Sequence, residues 1–292
     1  MLIRGNNKFR IFLYRSLLMT FMMLLVISSQ AEAQLSTQKQ TGWQSEVSLY
    51  YWFPETDGLL TIDGLSARYD LSSKDLAELT SSLEAAFMGM INLRNGPWLF
   101  YLNTVYVHYD DVNIEGIQVG PAQADVDIEW EQMVTEAAIG YRVAYWGESK
   151  KGNPGVGVDL LLGARYVDID AKVEVTDFPD PAFVGLESAG REKWLEPWIG
   201  IRSEVLFADN WSLYGQAGIG GFGVNNVPST SIDVIGAIRY QLTQHWAANL
   251  AYRHLELDYK KGNVVNIAGE VAPSFAHNSN LTGPIVGLTY VF

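Results

Sequence analysis

From Trp43 onward, polar and apolar residues alternate with a period of two, the mark of strands whose two faces meet different surroundings. Ten such runs are predicted, at 43–53, 83–94, 98–110, 124–146, 155–175, 192–207, 211–222, 229–242, 246–260 and 281–292. The connections alternate in length. Those at 95–96, 147–154, 208–210 and 243–245 are tight; those at 54–82, 111–123, 176–191 and 261–280 are long, and 223–228 is a short member of the second set. Aromatic residues gather at the tight turns: Trp43, Trp98, Tyr145, Trp146, Phe207, Trp211, Tyr240, Trp246, Tyr290 and Phe292.

The faces change character along the strands. In 124–146 one face runs Val143, Tyr141, Ile139, Ala137, Thr135, Met133 and then becomes Glu131, Glu129, Asp127, Asp125; the other runs Arg142, Glu136, Gln132 and then becomes Trp130, Ile128, Val126. The same exchange recurs in 155–175 (Leu160, Leu162 and Tyr166 giving way to Asp168 and Asp170), in 246–260 and in 98–110. An even number of strands, short turns at one end, long loops at the other and an aromatic girdle describe an antiparallel transmembrane β-barrel. Closure is required in lipid, where an open edge leaves backbone groups unpaired. Strands of about 20 residues exceed the roughly 9–11 needed to cross, so the sheet is expected to project above the bilayer. Its lumen is then polar within the membrane and apolar above it, with an acidic exterior. The fold class expected is all-β, with ten strands, or twelve if a hairpin at 59–71 joins the barrel.

The first 33 residues are set apart. Basic residues from Arg4 to Arg15, an apolar run from Leu17 to Ile27 and a small-x-small Ala31-Glu32-Ala33 form a secretory signal pattern, so the division expected is 1–33 signal peptide and 34–292 barrel. The whole chain carries 20 basic and 33 acidic residues. Without the first 33 residues the balance is 16 to 32, which argues against a nucleic-acid partner. An aromatic content of 12% with only 18% charged residues excludes a disordered acidic chain. The absence of cysteine removes disulfides, thiolate metal sites and cysteine nucleophiles together.

The chain ends Gly287-Leu288-Thr289-Tyr290-Val291-Phe292. A terminal Phe with apolar residues at alternate upstream positions resembles the C-terminal assembly signal of Gram-negative outer-membrane barrel proteins. The layout from signal peptide to final Phe is similar to the small outer-membrane barrel superfamily. That resemblance implies residence in the outer membrane of a Gram-negative bacterium, contact with its lipid and lipopolysaccharide, and recognition of the last strand by the barrel assembly machinery.

Three groups of residues stand out as candidate sites. Folding 124–146 onto 155–175 about a turn near Lys150 sets Arg142 opposite Asp159 and Glu136 opposite Arg165, all pointing inward, and opposite charges across an antiparallel pair stabilise it. Arg202, Glu204, Asp233 and Arg239 share that inward parity, as do Glu46, Glu84, Arg94, Glu196 and Arg253. These long side chains should plug most of a ten-stranded lumen, which is only slightly wider than the filled eight-stranded kind. Above them, Val107, Ile128, Trp130, Val167, Ile169, Leu255 and Leu257 form a possible pocket for an apolar ligand such as an acyl chain. Outside, Asp127, Glu129, Asp168 and Asp170 place like charges side by side with Lys172 as the relief, a possible oxygen site for a divalent cation. The alternative is a solvated acidic rim.

Within 54–82, Leu59–Ile62, Asp63-Gly64 and Leu65–Leu71 read as a hairpin with a type I′ turn. Ser72 and Asp75 cap a helix carrying Leu76, Leu79 and Leu83, placed to lie over the barrel mouth. Catalytic signals are poor: no H-E-x-x-H or G-x-S-x-G occurs. The cluster His108-Tyr109-Asp110-Asp111 falls at the rim, where barrel proteases of similar strand count place Asp and His residues. No cofactor is expected. The expected role is a non-enzymatic outer-membrane barrel with a mostly plugged lumen, structural to the envelope or binding at the surface. A narrow channel or conduit for small or apolar solutes is the alternative, and a rim-active hydrolase using His108 and Asp110 is a third reading.

Overall fold

The computed structural model describes residues 42–62, 65–71, 82–119, 122–147, 155–181, 184–223, 229–265 and 271–292. Nearly all of these are strand: β1 (Trp43–Trp52), β2 (Glu55–Ile62), β3 (Leu65–Leu71), β4 (Leu83–Asn95), β5 (Trp98–Val119), β6 (Ala122–Trp146), β7 (Gly155–Asp177), β8 (Glu187–Ala208), β9 (Trp211–Gly220), β10 (Ser229–Gln241), β11 (Trp246–Lys261), β12 (Val264–Val265), β13 (Val271–Ala272) and β14 (Phe275–Val291). β1 and β4 to β11 pair antiparallel in sequence order, β11 pairs with β14, and β14 returns to β1. This closed ring has ten members, and the full sheet has twelve because β2 and β3 also join it.

The hairpin joins at one height only. β2 lies along the upper part of β14, from Phe275↔Ile62 to Thr282↔Glu55, and β3 meets β5 at Ala67↔Val119 and Arg68↔Gln118. Ten strands form the lower barrel, and the hairpin extends the wall above it. The two strand counts weighed from the sequence therefore apply at different levels. The turn at Asp63-Gly64 and the helix expected over 72–81 lie outside the described residues, while Leu83 opens β4.

Several strands run further than the alternation indicates. β5 continues to Val119 and β6 begins at Ala122, so most of the expected loop 111–123 is hairpin. The register shifts between Tyr109 and Val112, and again between Ile114 and Ile117. Each bulge sets an extra residue in β5 against its partner and breaks the period of two, which is why adjacent Asp110 and Asp111 read as loop. β14 likewise starts at Phe275, inside the expected loop 261–280.

Lipid-level strands show a wide apolar exterior. Leu160, Leu162, Leu195, Ile199, Leu213, Val234, Leu250 and Val286 are exposed, Leu162 to 67%. A contiguous belt of this kind exceeds the few hundred Å² that a soluble monomer leaves uncovered. Around the tight-turn end Trp43, Trp98, Trp146, Trp211 and Trp246 are all exposed. They pack with neighbouring rings, as Trp98 does with Tyr141 (4.9 Å) and Trp246 with Tyr290 (5.0 Å). Amphipathic rings at one level mark a membrane interface. This is a transmembrane β-barrel, and Leu162 and Tyr166 face away from its axis.

Above Trp198, where its pairing with β9 begins, β8 is tied to β11 through side chains. Trp194 stacks on Tyr259 at 4.1 Å, and Lys261 Nζ lies 2.9 Å from Glu192. At the lower level the inward-facing Gly218 and Gly200 make room for Trp198. A Cβ at Gly218 would stand 2.2 Å from that indole and one at Gly200 2.7 Å. The run 218–223 thus works by packing at its start, with Gly220 closing β9, and by backbone conformation at its end, where Gly221, Phe222 and Gly223 have positive φ.

Candidate functional site

Inward-facing charges meet in two layers. In the upper one, Glu136 stands opposite Arg165 on the β6–β7 ladder. Arg165 Nε donates to Glu136 at 2.9 Å, and its terminal nitrogens reach Glu196 on β8 (3.1 Å) and Asp233 on β10 (3.4 Å). From β11, Arg253 donates to both oxygens of Asp233 (3.0 and 2.7 Å) and crosses the lumen to Glu136 at 3.1 Å. Tyr101 Oη donates to Glu136 at 3.1 Å, and the Ser231 hydroxyl bonds Glu196. Arg165, Glu136 and Glu196 are each no more than 1% exposed.

The lower layer spans the lumen as well. Asp159 accepts from Arg142, its ladder partner, at 2.9 Å and from Arg94 of β4 at 2.6 Å. Arg239 of β10 reaches Glu46 of β1 at 3.1 Å. Arg202 of β8 donates to Asn92 of β4 at 2.8 Å and to Gln216 at 2.7 Å, and its guanidinium lies 4.5 Å from the Tyr101 ring centroid. Glu204 lines a residual cavity of about 40 Å³ with Glu46, Arg94, Arg202 and Arg239. That holds a few waters at most, at roughly 10–15 Å³ per water. The eight charged residues singled out from the sequence therefore divide between two layers. Each layer is completed by partners of the same parity: Arg253 and Glu196 above, Arg94 and Glu46 below.

Above the charges lies a cavity of about 140 Å³ with an almost wholly apolar wall. Of the seven residues expected there, Val107, Ile128, Trp130 and Leu255 line it. Val167, Ile169 and Leu257 do not line it; they are buried in the adjoining core at 0–1% exposure. The rest of the wall includes Leu60, Ala67, Tyr69 and Leu71 from the β2–β3 hairpin, together with Trp52 and Met88. The hairpin is thus a wall of the chamber. Trp52 joins the two regions, since its ring lines the cavity and lies 5.0 Å from the Arg253 guanidinium.

Two residues in this wall, His277 and Ser279, fall in a segment read as loop from the sequence. Their signal is the parity Phe275, His277, Ser279, Leu281, which continues the inward face of β14. His277 Nε2 lies 2.9 Å from Ser279 Oγ, and burial lowers the His277 pKa to about 4. The Tyr69 hydroxyl also bonds Ser279; burial raises the tyrosine well above its usual range. Tyr109, another wall residue, is pushed up to about 12 by burial.

On the exterior, register separates the four carboxylates expected to hold a cation. Asp127 faces Glu174, Glu129 faces Lys172, and Asp170 faces Glu131, with Asp168 opposite Met133. Lys172 is not the sole relief. Arg191 lies 2.9 Å from Asp168 and 3.3 Å from Asp170, and Lys193 lies 3.0 Å from Asp168, both from β8. Burial pushes the Asp168 carboxyl up, but hydrogen bonds from Arg191 and Lys193 outweigh it and hold the pKa below its ordinary value. Asp127 accepts from Asn113 at 2.8 Å. Among the described residues no group of three or more His, Asp or Glu is arranged to hold a metal ion. The alternation predicts this strand only from Glu192, which leaves Arg191 in a loop, and the long connection before it sets no register that would place Lys193 beside Asp168. His108 faces outward and Asp110 is exposed; Glu84, expected to point inward, is exposed instead with its Oε2 3.7 Å from His108 Nδ1, because the register shift between Leu83 and Ala85 breaks its parity.

The ring, the lipid-facing belt and the aromatic girdle define a closed transmembrane β-barrel. Among solved structures, the outer membrane protease OmpT of Escherichia coli matches 90% of this chain and 100% of its own with a TM-score of 0.50 at 12% identity. The attachment invasion locus protein Ail of Yersinia pestis matches 87% and 100% with a TM-score of 0.32 at 11% identity. A Pseudomonas aeruginosa FadL homologue matches 86% and 90% with a TM-score of 0.28 at 9% identity. At 12% identity the likeness to OmpT is one of fold. No family model matches the chain, and no curated protein matches it in sequence.

Proposed function

We propose that this outer-membrane barrel is a non-conducting, non-enzymatic protein whose role is structural to the envelope or exercised by binding at the outer surface. The observation that carries the reading is the pair of charge layers. Arg253 to Glu136, Arg94 to Asp159, Arg202 to Asn92 and Arg239 to Glu46 each tie one side of the lumen to the other. An ion would have to break several charge-assisted hydrogen bonds, each among the stronger kinds, to pass. In this reading residues 1–33 are removed on export, and the last strand, ending at Phe292, is the segment the barrel assembly machinery recognises. Phe292 N donates to Ser45 O at 3.0 Å, so that terminus also helps seal the ring against β1.

The test is planar-bilayer recording with the purified full chain. A silent membrane at physiological salt is expected, and discrete openings would overturn the plugged lumen. A second reading, an apolar-solute site, is favoured by the chamber above the charges. Its floor is closed, so it supports binding in preference to passage.

A further inference from the structure

We infer that the chamber above the charge layers is a binding site for a small neutral aromatic alcohol, a phenol-sized ring bearing one hydroxyl. The inference rests on the surface-binding reading and names its ligand class. Three observations carry it.

Size comes first. A cavity of about 140 Å³ is close to the roughly 150 Å³ of an engineered apolar cavity that accepts benzene, and is too small for a long acyl chain. Shape and chemistry come second. Trp52, Trp130, Val105, Val134 and Leu255 form a wall of rings and branched aliphatic groups, which suits a flat apolar body. Such a wall offers little to water, which typically needs about three hydrogen bonds when buried.

The third observation is the polar group. His277 lines the cavity and is 1% exposed, and its Nδ1 has no hydrogen-bond partner among the described residues. A buried polar atom left without a partner costs about 1–3 kcal/mol, so this nitrogen favours a ligand that satisfies it. Its role depends on the hydroxyls beyond it. When Ser279 donates to Nε2, Nδ1 carries the proton and donates; when Nε2 donates to Ser279, Nδ1 accepts. A hydroxyl on the ligand serves either tautomer, whereas an ether or carbonyl serves only one. The histidine is neutral at ordinary pH because burial holds its pKa near 4. With an apolar wall and an uncharged histidine the chamber offers an ionised ligand no counter-charge, so it favours a neutral partner.

The experiment uses the full chain in lipid nanodiscs with two fluorine-NMR probes, 4-fluorophenol and fluorobenzene, and empty nanodiscs to subtract partitioning. The expected result is saturable binding of both, with 4-fluorophenol tighter by about threefold to tenfold, the worth of one neutral hydrogen bond. His277→Leu is expected to remove that preference while keeping fluorobenzene binding, and Val107→Trp, which fills the chamber, to abolish both. Absence of saturable binding, or equal affinity of the two probes for the unaltered protein, would overturn the inference without needing either variant. The plugged-lumen reading would survive that failure, since it is judged by conductance alone.

Discussion

Arg165→Met is expected to lower the unfolding free energy by about 3–5 kcal/mol, the usual cost of removing one partner from a buried ion network. Arg165 is the hub of the upper layer, bonded to Glu136, Glu196 and Asp233 from three different strands. Without it, three buried carboxylates share Arg253, which already serves two of them. The loss should reflect stranded charge more than lost attraction. The double variant Arg165→Met/Glu136→Gln should therefore be more stable than the single one, because it deletes a positive and a negative charge together. Urea unfolding in detergent micelles, followed by tryptophan fluorescence, measures both. A loss below about 1 kcal/mol, the range of exposed pairs, would mean that the layer is hydrated and open.

Trp198→Ala should cost about 3–5 kcal/mol, as for other large aromatic truncations in a packed interior. Gly218→Val should also destabilise, by about 1–3 kcal/mol or more, through overpacking. The ring of Trp198 occupies the space a side chain at 218 would need, 2.2 Å from the ideal Cβ position. Each substitution supplies what the other lacks, so the double variant Trp198→Ala/Gly218→Val should be clearly less damaged than the sum of the two. The same unfolding measurement gives the coupling, and strict additivity would show that the two positions do not share one space.

Much of this molecule is legible in its sequence because lipid and lumen impose opposite demands on neighbouring residues. The alternation Asp159, Leu160, Leu161, Leu162 already separates a buried carboxylate from exposed leucines, and β7 keeps that parity from Gly155 to beyond Ile169. Local ladders follow from one tight turn, as with Glu136 opposite Arg165. Contacts across the lumen do not follow in this way. Arg253 and Glu136 are 117 residues apart, and what brings them together is closure of the whole ring. No local pattern encodes it. The placement of the predicted hairpin is hidden for another reason. Leu60 and Tyr69 alternate correctly, but only the edges of β14 and β5 decide whether they cover the mouth or extend the wall. His277 is hidden because the alternation predicts its strand only from Leu281, whereas β14 starts at Phe275.

The most direct test uses the absence of native cysteine. Single cysteines are introduced on the outward face of β7 at Leu160, Leu162, Tyr166, Asp170, Lys172 and Glu174, and on β11 at Leu250, Tyr252, Glu256 and Asp258. Each is spin-labelled in lipid vesicles, and its accessibility to oxygen and to a neutral nickel chelate is measured. The lower positions on both strands should favour oxygen, the upper ones nickel, with the crossover just above Tyr166 and just above Tyr252. Nickel access at Leu162 and Leu250, or a crossover at different depths on the two strands, would contradict a single closed barrel whose polarity reverses at one level.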